Sequence, residues 1–274
     1  MLIFGLGYTA KVLAARLRDD GWTVHATGRD GDLDFADRAA VGSALAKASH
    51  LLSSVPPDSA GGDPVLAAYG TVLRGKWIGY LSSTGVYGDT GGAWVDETAP
   101  IGCGRRTARS EADLAWQAAG AHVFRLPGIY GPGRSPLDRV ASGAAHRIDL
   151  PDQVFSRVHV EDIVNGVIAG FIAPAGVYNL ADDLPVSQNA VIEEASRLLG
   201  REPPSLLSLE QANLSPMARA FYAENRRVAN GKARRVLGWS PVYPTYVEGL
   251  RALRATAMPA SATTTPATAS ADQR

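Results

Sequence analysis

Residues 4–10 read FGLGYTA, a G-x-G-x-x-A run between a short apolar segment and an amphipathic one. Residues 2–4 predict a strand, and the apolar spacing after the run predicts a helix that Gly21 would end. In this context the first glycine permits a tight turn, and the second lets backbone N–H groups approach a pyrophosphate. An ordinary glycine turn is the alternative, which the strand-turn-helix context disfavours. We therefore predict a dinucleotide-binding turn made by Gly5, Gly7, Tyr8, Thr9 and Ala10.

The rest of the first half alternates strand-like and helix-like segments. Predicted strands cover residues 22–27, 50–55, 77–82 and 122–126, and predicted helices cover 39–48 and 106–119. This alternation is typical of a doubly wound α/β fold, in which helices cover both faces of a parallel sheet.

The order of segments changes after Pro127. A loop rich in Gly and Pro over 128–136 leads into mixed segments, with helices near 162–171 and 187–199. We expect a Rossmann core over 1–130, to whose sheet residues 153–181 return. A smaller mixed C-terminal lobe would comprise 131–152 and 182–257, and the polar residues 258–274 would form a disordered tail.

Composition excludes several functional classes. The 27 basic and 27 acidic side chains leave no net charge, which argues against nucleic acid or an anionic membrane as partner. A single cysteine excludes an intramolecular disulfide or a multi-cysteine zinc site, and the five histidines lack metal-ligand spacing. No apolar run approaches the length of a membrane span, and the N-terminus lacks the pattern of a secretory signal. We expect a cytoplasmic protein without a bound metal that acts on a small molecule.

The end of the predicted second strand bears on the choice of cofactor. An acidic residue at this point usually accepts a hydrogen bond from the ribose 2′-hydroxyl of NAD. This chain has Thr27, Gly28 and Arg29 there, and an arginine can pair with a 2′-phosphate. We therefore predict that NADP(H) is favoured over NAD(H). The adjacent Asp30 could reverse the preference, and a solvated surface arginine is the alternative interpretation of Arg29.

Four later segments, taken together and in order, resemble the extended short-chain dehydrogenase/reductase superfamily, which contains nucleotide-sugar epimerases and dehydratases. The segments are LSSTGVYG at 81–88, RLPGIYGPG at 125–133, RVHVED at 157–162 and GVYNL at 176–180. The resemblance is closest to the atypical branch, whose opening turn is G-x-G-x-x-G/A. It implies a Rossmann domain that binds NAD(P) and a lobe that closes over the substrate. It also implies a possible homodimer through a pair of helices, one of them at 106–119.

The resemblance also implies roles for individual residues. The cofactor's ribose and phosphates would pass the segment after the third strand, Ser53, Ser54, Val55 and Pro56. Its adenine would contact an acidic-apolar pair, Asp34 and Phe35. Its nicotinamide would be lined by Pro127, Gly128 and Ile129. Ser83 matches the hydroxyl that orients the substrate oxygen; Thr84 is its neighbour, and Ser82 is assigned to the cofactor site.

The family's acid/base pair is missing. In the family a tyrosine transfers the proton, and a lysine four residues later lowers its pKa, because a phenol is a poor base without a close cation. A register anchored on Gly104, Arg105 and Glu111 places Cys103 at the tyrosine position and Thr107 at the lysine position. Cys103 could act as a substitute acid beside an arginine, although a loop residue without a role is the favoured interpretation.

Several more side chains are weaker candidates. Tyr87 or Tyr130 could reach the site from another direction, and Arg109 could replace the charge of the lysine. His159 is expected to cap the helix that contains Asp162 rather than to act in catalysis. A group of arginines could bind an anionic substrate, but solvated helix faces are the favoured interpretation: Arg226, Arg227, Arg234 and Arg235.

These residues predict an NAD(P)-dependent oxidoreductase or epimerase-like enzyme with an unknown small-molecule substrate. Ser83 would be the surviving catalytic hydroxyl. The rival hypothesis is a non-catalytic sensor that binds NADP(H), which the loss of the acid/base pair favours. The intact serine segment and the lobe favour the enzyme.

Overall fold

The computed structural model describes residues 1–58, 61–73, 75–102 and 107–257. Its strands are β1 (Leu2–Phe4), β2 (His25–Ala26), β3 (His50–Ser53), β4 (Trp77–Ser83), β5 (Trp94–Val95), β6 (His122–Leu126), β7 (Gly128–Tyr130), β8 (Arg147–Ile148), β9 (Arg157–His159), β10 (Val177–Asn179), β11 (Leu206–Leu207) and β12 (Arg227–Val228). Its α-helices are α1 (Tyr8–Asp19), α2 (Arg38–Lys47), α3 (Pro64–Tyr69), α4 (Thr107–Ala118), α5 (Pro136–Ala141), α6 (Val160–Ala169), α7 (Gln188–Leu199), α8 (Pro216–Phe221), α9 (Gly231–Leu237) and α10 (Tyr246–Ala257).

Six strands form one parallel sheet in the order β10-β6-β4-β3-β1-β2. The chain places β2 on one side of β1 and then crosses to β3 on the other side. This reversal makes the sheet doubly wound, as the sequence predicts. It also opens a crevice at the carboxyl ends of β1 and β3, where ligands bind in folds of this kind.

Alternate residues of the strands face opposite layers of helices, because side chains in a strand alternate between the two faces. Ile3 packs in the cluster that includes Leu13 of α1 and Ile163 of α6. Leu2 and Phe4 pack in the cluster on the other face, together with residues of α2, α3 and α4. The apolar β1 segment is therefore buried on both faces, which explains why it contains no polar residue.

The second half builds a separate apolar cluster beside the sheet. Residues of α5, α7 and α10 meet there, among them Leu137, Ile192 and Leu250, and Tyr130 at the end of β7 joins them. Three parallel two-stranded pairs lie outside the main sheet: β7-β9, β8-β11 and β5-β12. Val95 of β5 and Val228 of β12 pack in a further cluster. Strand β10 returns to the edge of the main sheet. The residue boundaries that we expect between the Rossmann core and the C-terminal lobe stay a prediction.

Several elements differ from the sequence-based expectations. The second strand is only His25–Ala26, because Trp22 N–H still donates to Leu17 O and completes the end of α1. The segment 128–136 is not all loop: Gly128–Tyr130 pairs with β9, and Pro136 begins α5. Ser135 and Asp138 form a capping box at the start of α5, a local sequence signal for this helix. The expected tail, 258–274, lies outside the described residues.

The contact between Gly249 of α10 and Tyr130 gives a prediction about the lobe. A methyl group at Gly249 would overlap the buried hydroxyl and ring of Tyr130. We expect Gly249→Ala to lower the free energy of unfolding by about 1–3 kcal/mol through overpacking. Gly42 of α2 is the matched control, since an added Cβ there meets nothing within 4 Å. Gly42→Ala should stabilise by about 0.5–1 kcal/mol. Equal effects of the two changes in urea denaturation would contradict this packing.

Candidate functional site

The glycine turn lies where β1 ends and α1 begins. Gly5 has φ of +84°, and a Cβ there would stand 2.9 Å from Cγ2 of Val55. Gly5 N–H donates to Oγ1 of Thr27 at 3.2 Å, and the Ser54 hydroxyl donates to the carbonyl oxygen of Gly5. The turn is therefore held by the ends of both neighbouring strands, and its first position requires glycine.

The N-terminus of α1 is open. Gly7 is its N-cap residue, no side chain caps it, and a Cβ on Gly7 would meet nothing within 4 Å. The first turn contains no acidic residue. Because a helix N-terminus carries unsatisfied N–H groups and a partial positive charge, this end can take an anion. Ala10, the third position of the motif, is fully buried against the sheet.

A cleft of about 990 Å³ extends from this helix terminus across the carboxyl ends of the strands to the lobe. It brings together most of the predicted site: Gly7, Tyr8, Thr9, Ala10, Ser54, Ser82, Ser83, Thr84, Pro127, Gly128 and Ile129. Gly5, Ser53, Val55 and Pro56 do not line it. Ser53 is buried in β3, and Val55 occupies the place next to Gly5 that a side chain there would need.

A smaller cavity of about 440 Å³ contains the residues predicted for the adenine end, Arg29, Asp34 and Phe35. Arg29 is exposed, and Phe35 packs edge-on against Phe4 at 6.2 Å. Asp30, the residue that could reverse the cofactor preference, forms an ion pair with Lys11 of α1 at 2.5 Å. Lys11 also lowers the pKa of the Asp30 carboxyl by hydrogen bonding and by its charge.

A buried polar network fixes the end of β4. The Asp113 carboxylate accepts the Ser82 hydroxyl at 2.5 Å and two donors of the Arg125 guanidinium at 3.1 and 2.8 Å. Arg125 also donates to the Tyr87 hydroxyl at 3.0 Å, which in turn donates to Oδ1 of Asn179 at 2.8 Å. Burial raises the pKa of Tyr87, although Arg125 opposes this. Tyr87 is therefore committed to the framework and does not serve as the missing acid.

Ser83 stands at the exit of β4. Its Oγ accepts the N–H of Gly85 at 3.1 Å and begins a short 3-10 helix at 84–87. Both Ser83 and the neighbouring Thr84 line the cleft, and Thr84 is buried. The geometry gives Ser83 a fixed orientation at the wall of the cleft.

The structure describes only one of the two residues that stand in place of the family's acid/base pair, Thr107 and not Cys103. Cys103 lies outside the described residues, as do Gly104 and Arg105. Thr107 is the first residue of α4 and is exposed, and it does not line the cleft. Arg109, two residues later, does line it. Among the described residues of α4, the cation facing the cleft is thus an arginine displaced from the family's lysine position.

Tyr130 and His159 both have structural roles. The Tyr130 hydroxyl is buried against Gly249, so its ring lines the cleft while its oxygen faces the lobe. Burial is the main cause that raises the pKa of Tyr130, and the nearby Asp182 adds to it. His159 is the N-cap of α6, and its ring accepts the N–H of Glu161 at 3.3 Å. The expected capping role of His159 is confirmed.

Sequence reasoning missed much of the lobe side of the cleft. The aromatic residues Phe155, Phe221 and Tyr222 line it, and so do Arg134 and Arg139. Arg134 directly follows the recognised GPG segment, so its position was available as a signal. No local sequence pattern marks Phe221 as a residue of the cleft.

Within the described ranges, no three His, Cys, Asp or Glu residues form a possible metal site, and no helix has the length and apolarity of a membrane span.

Comparison with known sequences gives partial matches. No family model matches the chain. It is 32% identical over 136 residues to Protein YeeZ of Escherichia coli (strain K12), covering 46% of this chain and 47% of that protein. It is 30% identical over 163 residues to a 3-diazoavenalumate denitrifying reductase of a Streptomyces species, covering 53% and 52%. The matches thus extend over about half the length of these curated relatives.

Solved structures match over nearly the whole chain. A functionally unknown conserved protein from Silicibacter pomeroyi DSS has 44% identity and a TM-score of 0.82, covering 93% of this chain and 98% of that one. The human epimerase family protein SDR39U1, solved with NADPH, has 15% identity and a TM-score of 0.71, with 93% and 99% covered. The first match establishes a relative in sequence, and the second establishes a common fold.

The polar network yields a prediction. Asp113 and Arg125 are 0% and 2% exposed, so Asp113→Ala would leave a buried guanidinium without its counter-ion. We expect it to lower the free energy of unfolding by about 3–5 kcal/mol. Asp20→Ala removes the exposed ion pair with Arg16 and should cost about 1 kcal/mol or less. If chemical denaturation shows similar losses for both variants, the network does not hold the end of β4.

Proposed function

Because the chain belongs to the family of the Silicibacter pomeroyi protein and has the fold of the epimerase/dehydratase-like short-chain dehydrogenases/reductases, we propose that it is an NAD(P)-dependent oxidoreductase. One observation carries the proposal: the open N-terminus of α1 and the oriented hydroxyl of Ser83 line the same cleft. A pyrophosphate site and a substrate-orienting group are thereby connected by a single space.

The residues present fit a dinucleotide. Space is free around Gly7, and the backbone donors of the first turn of α1 face it without a side-chain cap. Pro127, Gly128 and Ile129 line the cleft, where the family places the nicotinamide. When bound, the cofactor would supply the hydride donor or acceptor.

The surroundings of Arg29 favour the 2′-phosphate. Lys11 engages the carboxylate of Asp30, which makes Asp30 a weaker acceptor for a ribose hydroxyl. Arg29 remains exposed on the cavity that also contains Asp34 and Phe35. The guanidinium of Arg29 would attract a phosphate, so we propose NADP(H) as the preferred cofactor.

The chain's own groups can bind and polarise a substrate. The Gly85 N–H fixes the Ser83 oxygen, so that the hydroxyl hydrogen can be donated to the substrate oxygen. Arg109 supplies a permanent positive charge in the cleft, which stabilises negative charge that develops on that oxygen. Without a phenol activated by lysine, proton transfer through the family's route would be slow. The proposed enzyme therefore depends on orientation and electrostatics.

A second candidate is a non-catalytic NADP(H) sensor. Thr107 is exposed, and no lysine is among the described residues that line the cleft. This absence favours binding without turnover. The reductase named among the curated relatives favours the enzyme. A cytoplasmic location and a homodimer stay predictions under either candidate.

Calorimetric titration tests the proposal. The protein is titrated with NADPH, NADP, NADH and NAD, and we expect micromolar binding that favours the phosphorylated pair. Arg29→Gln should weaken NADPH binding by about tenfold and leave NADH binding unchanged, because the lost charge contacts only the 2′-phosphate.

Arg16→Gln is the matched control, since Arg16 is exposed on α1 and pairs with Asp20. It should bind all four nucleotides like the wild type. No binding of any nucleotide to the wild type would refute the oxidoreductase proposal. Binding with an unchanged NADPH-to-NADH ratio in Arg29→Gln would refute only the assignment of the 2′-phosphate site.

A further inference from the structure

The lobe side of the cleft has an aromatic wall. The rings of Phe155 and Phe221 stack with centroids 4.4 Å apart and an interplanar angle of 11°. Tyr222 packs edge-on against Phe155 at 5.7 Å. All three line the cleft, and Phe221 is 47% exposed. Phe221 is a large apolar side chain with much exposed area, and the ring of Phe155 supports one of its faces. Phe221 therefore offers a flat surface to a planar ligand.

Arg226 belongs to the same wall. Hydrogen bonds join the Phe155 segment to the Arg226 segment: Gln153 Nε2 donates to Glu224 O at 2.8 Å, and Val228 N–H donates to Ser156 Oγ at 2.9 Å. These bonds connect the segment that contains Phe155 to the segment that contains Arg226.

The guanidinium of Arg226 is anchored at one nitrogen. Its Nη1 donates to Gly88 O at 2.7 Å and to the Glu224 carboxylate at 2.9 Å. Within the described chain, Nη2 has no hydrogen-bond partner. It lies 4.0 Å from the point where a Cβ on Gly85 would stand, and Oγ of Ser83 lies 3.3 Å from the same point. Nη2 of Arg226 and the Ser83 hydroxyl therefore both lie within about 4 Å of this point beside Gly85.

The charge of the cleft is suited to an anion. Its described lining includes five arginines, at 109, 134, 139, 157 and 226, against the two carboxylates of Asp138 and Glu224. Asp138 accepts the N–H of Ser135, and Glu224 pairs with Arg226, so both carboxylates already have donors. The surplus of guanidinium groups raises the local concentration of negatively charged ligands.

The four arginines that the sequence groups together are not equivalent. Only Arg226 lines the cleft. Arg227 donates to Gly92 O, Arg234 pairs with Asp183, and Arg235 is exposed on α9. The solvated interpretation therefore holds for Arg235, and the anion-binding interpretation is left to Arg226.

We propose that the substrate is a small aromatic carboxylic acid whose ring stacks on Phe221, with Tyr222 edge-on beside it, and whose carboxylate pairs with Arg226. This inference rests on the proposed function, since it brings the acid beside Ser83 and the nicotinamide end of the cleft. Arg226 is then a specificity-determining residue. Its Nη2 provides directed, charge-assisted donors for a carboxylate, whereas the side-chain amide of a glutamine would carry no charge.

Three probe ligands separate the ring from the charge: trans-cinnamate, cinnamyl alcohol, which lacks the charge, and crotonate, which lacks the ring. Calorimetric titration is made on the full chain, alone and saturated with NADPH. We expect cinnamate to bind at least about tenfold more tightly than either of the others. Cinnamyl alcohol loses the charge-assisted hydrogen bond, and crotonate loses the ring stacking.

Two substitutions separate the contribution of the carboxylate to binding from that of the aromatic ring. Arg226→Gln should remove the advantage of cinnamate over cinnamyl alcohol, and Phe221→Ala should remove its advantage over crotonate. Arg235→Gln makes the same charge change outside the cleft and should behave like the wild type. Thermal unfolding verifies that each variant remains folded.

Equal binding of cinnamate and cinnamyl alcohol by the wild type would overturn the inference. So would an Arg226→Gln variant that folds and still discriminates between them. Failure of NADPH to bind would count against the oxidoreductase. Because the comparison of probes is also made without NADPH, the result for the carboxylate site is independent of that failure.

Discussion

The chain reverses direction within three residues after β1, and this constraint determines where the functional groups stand. Gly5 makes the turn in a left-handed conformation, and Val55 leaves no room for a side chain there. Thr27 and Ser54 hold the turn from the ends of β2 and β3. The first turn of α1 consequently opens at the crevice where the order of strands reverses. A helix that began later would direct its free N–H groups elsewhere.

A second constraint operates at the other end of the cleft. Asp113 and Arg125 are buried charges, and such a pair is tolerated only when both partners are present and hydrogen-bonded. Their network joins α4, β4, β6 and β10 through Ser82, Tyr87 and Asn179. Ser83 follows Ser82 directly, so its position in the cleft is set by this network. The stability of the core and the geometry of the site therefore depend on the same side chains.

Local patterns were sufficient to predict the fold and the glycine turn. The strand at residues 2–4 and the strand at 122–126 agree with the structure, because their apolar residues face helices on both sides of the sheet. Local patterns predict less of the lobe, because its elements depend on contacts between distant segments. Strand β7 and helices α5 and α9 have only 3, 6 and 7 residues. Helix α10 is amphipathic, and its buried residues Leu250 and Leu253 meet partners distant in sequence. For the same reason Phe221 was not recognised, because its stacking on Phe155 joins residues 66 positions apart.

The central claim is that the pyrophosphate of a dinucleotide binds at Gly7. Gly7→Val tests it most directly: Gly7 has φ of −81°, which valine can adopt, and an added Cβ has no neighbour within 4 Å. Its side chain would fill the space intended for the phosphate without disturbing the core. We predict that NADPH affinity, measured by calorimetry, falls at least about tenfold while the thermal midpoint stays close to that of the wild type. A folded Gly7→Val variant that binds NADPH as tightly as the wild type would contradict the account.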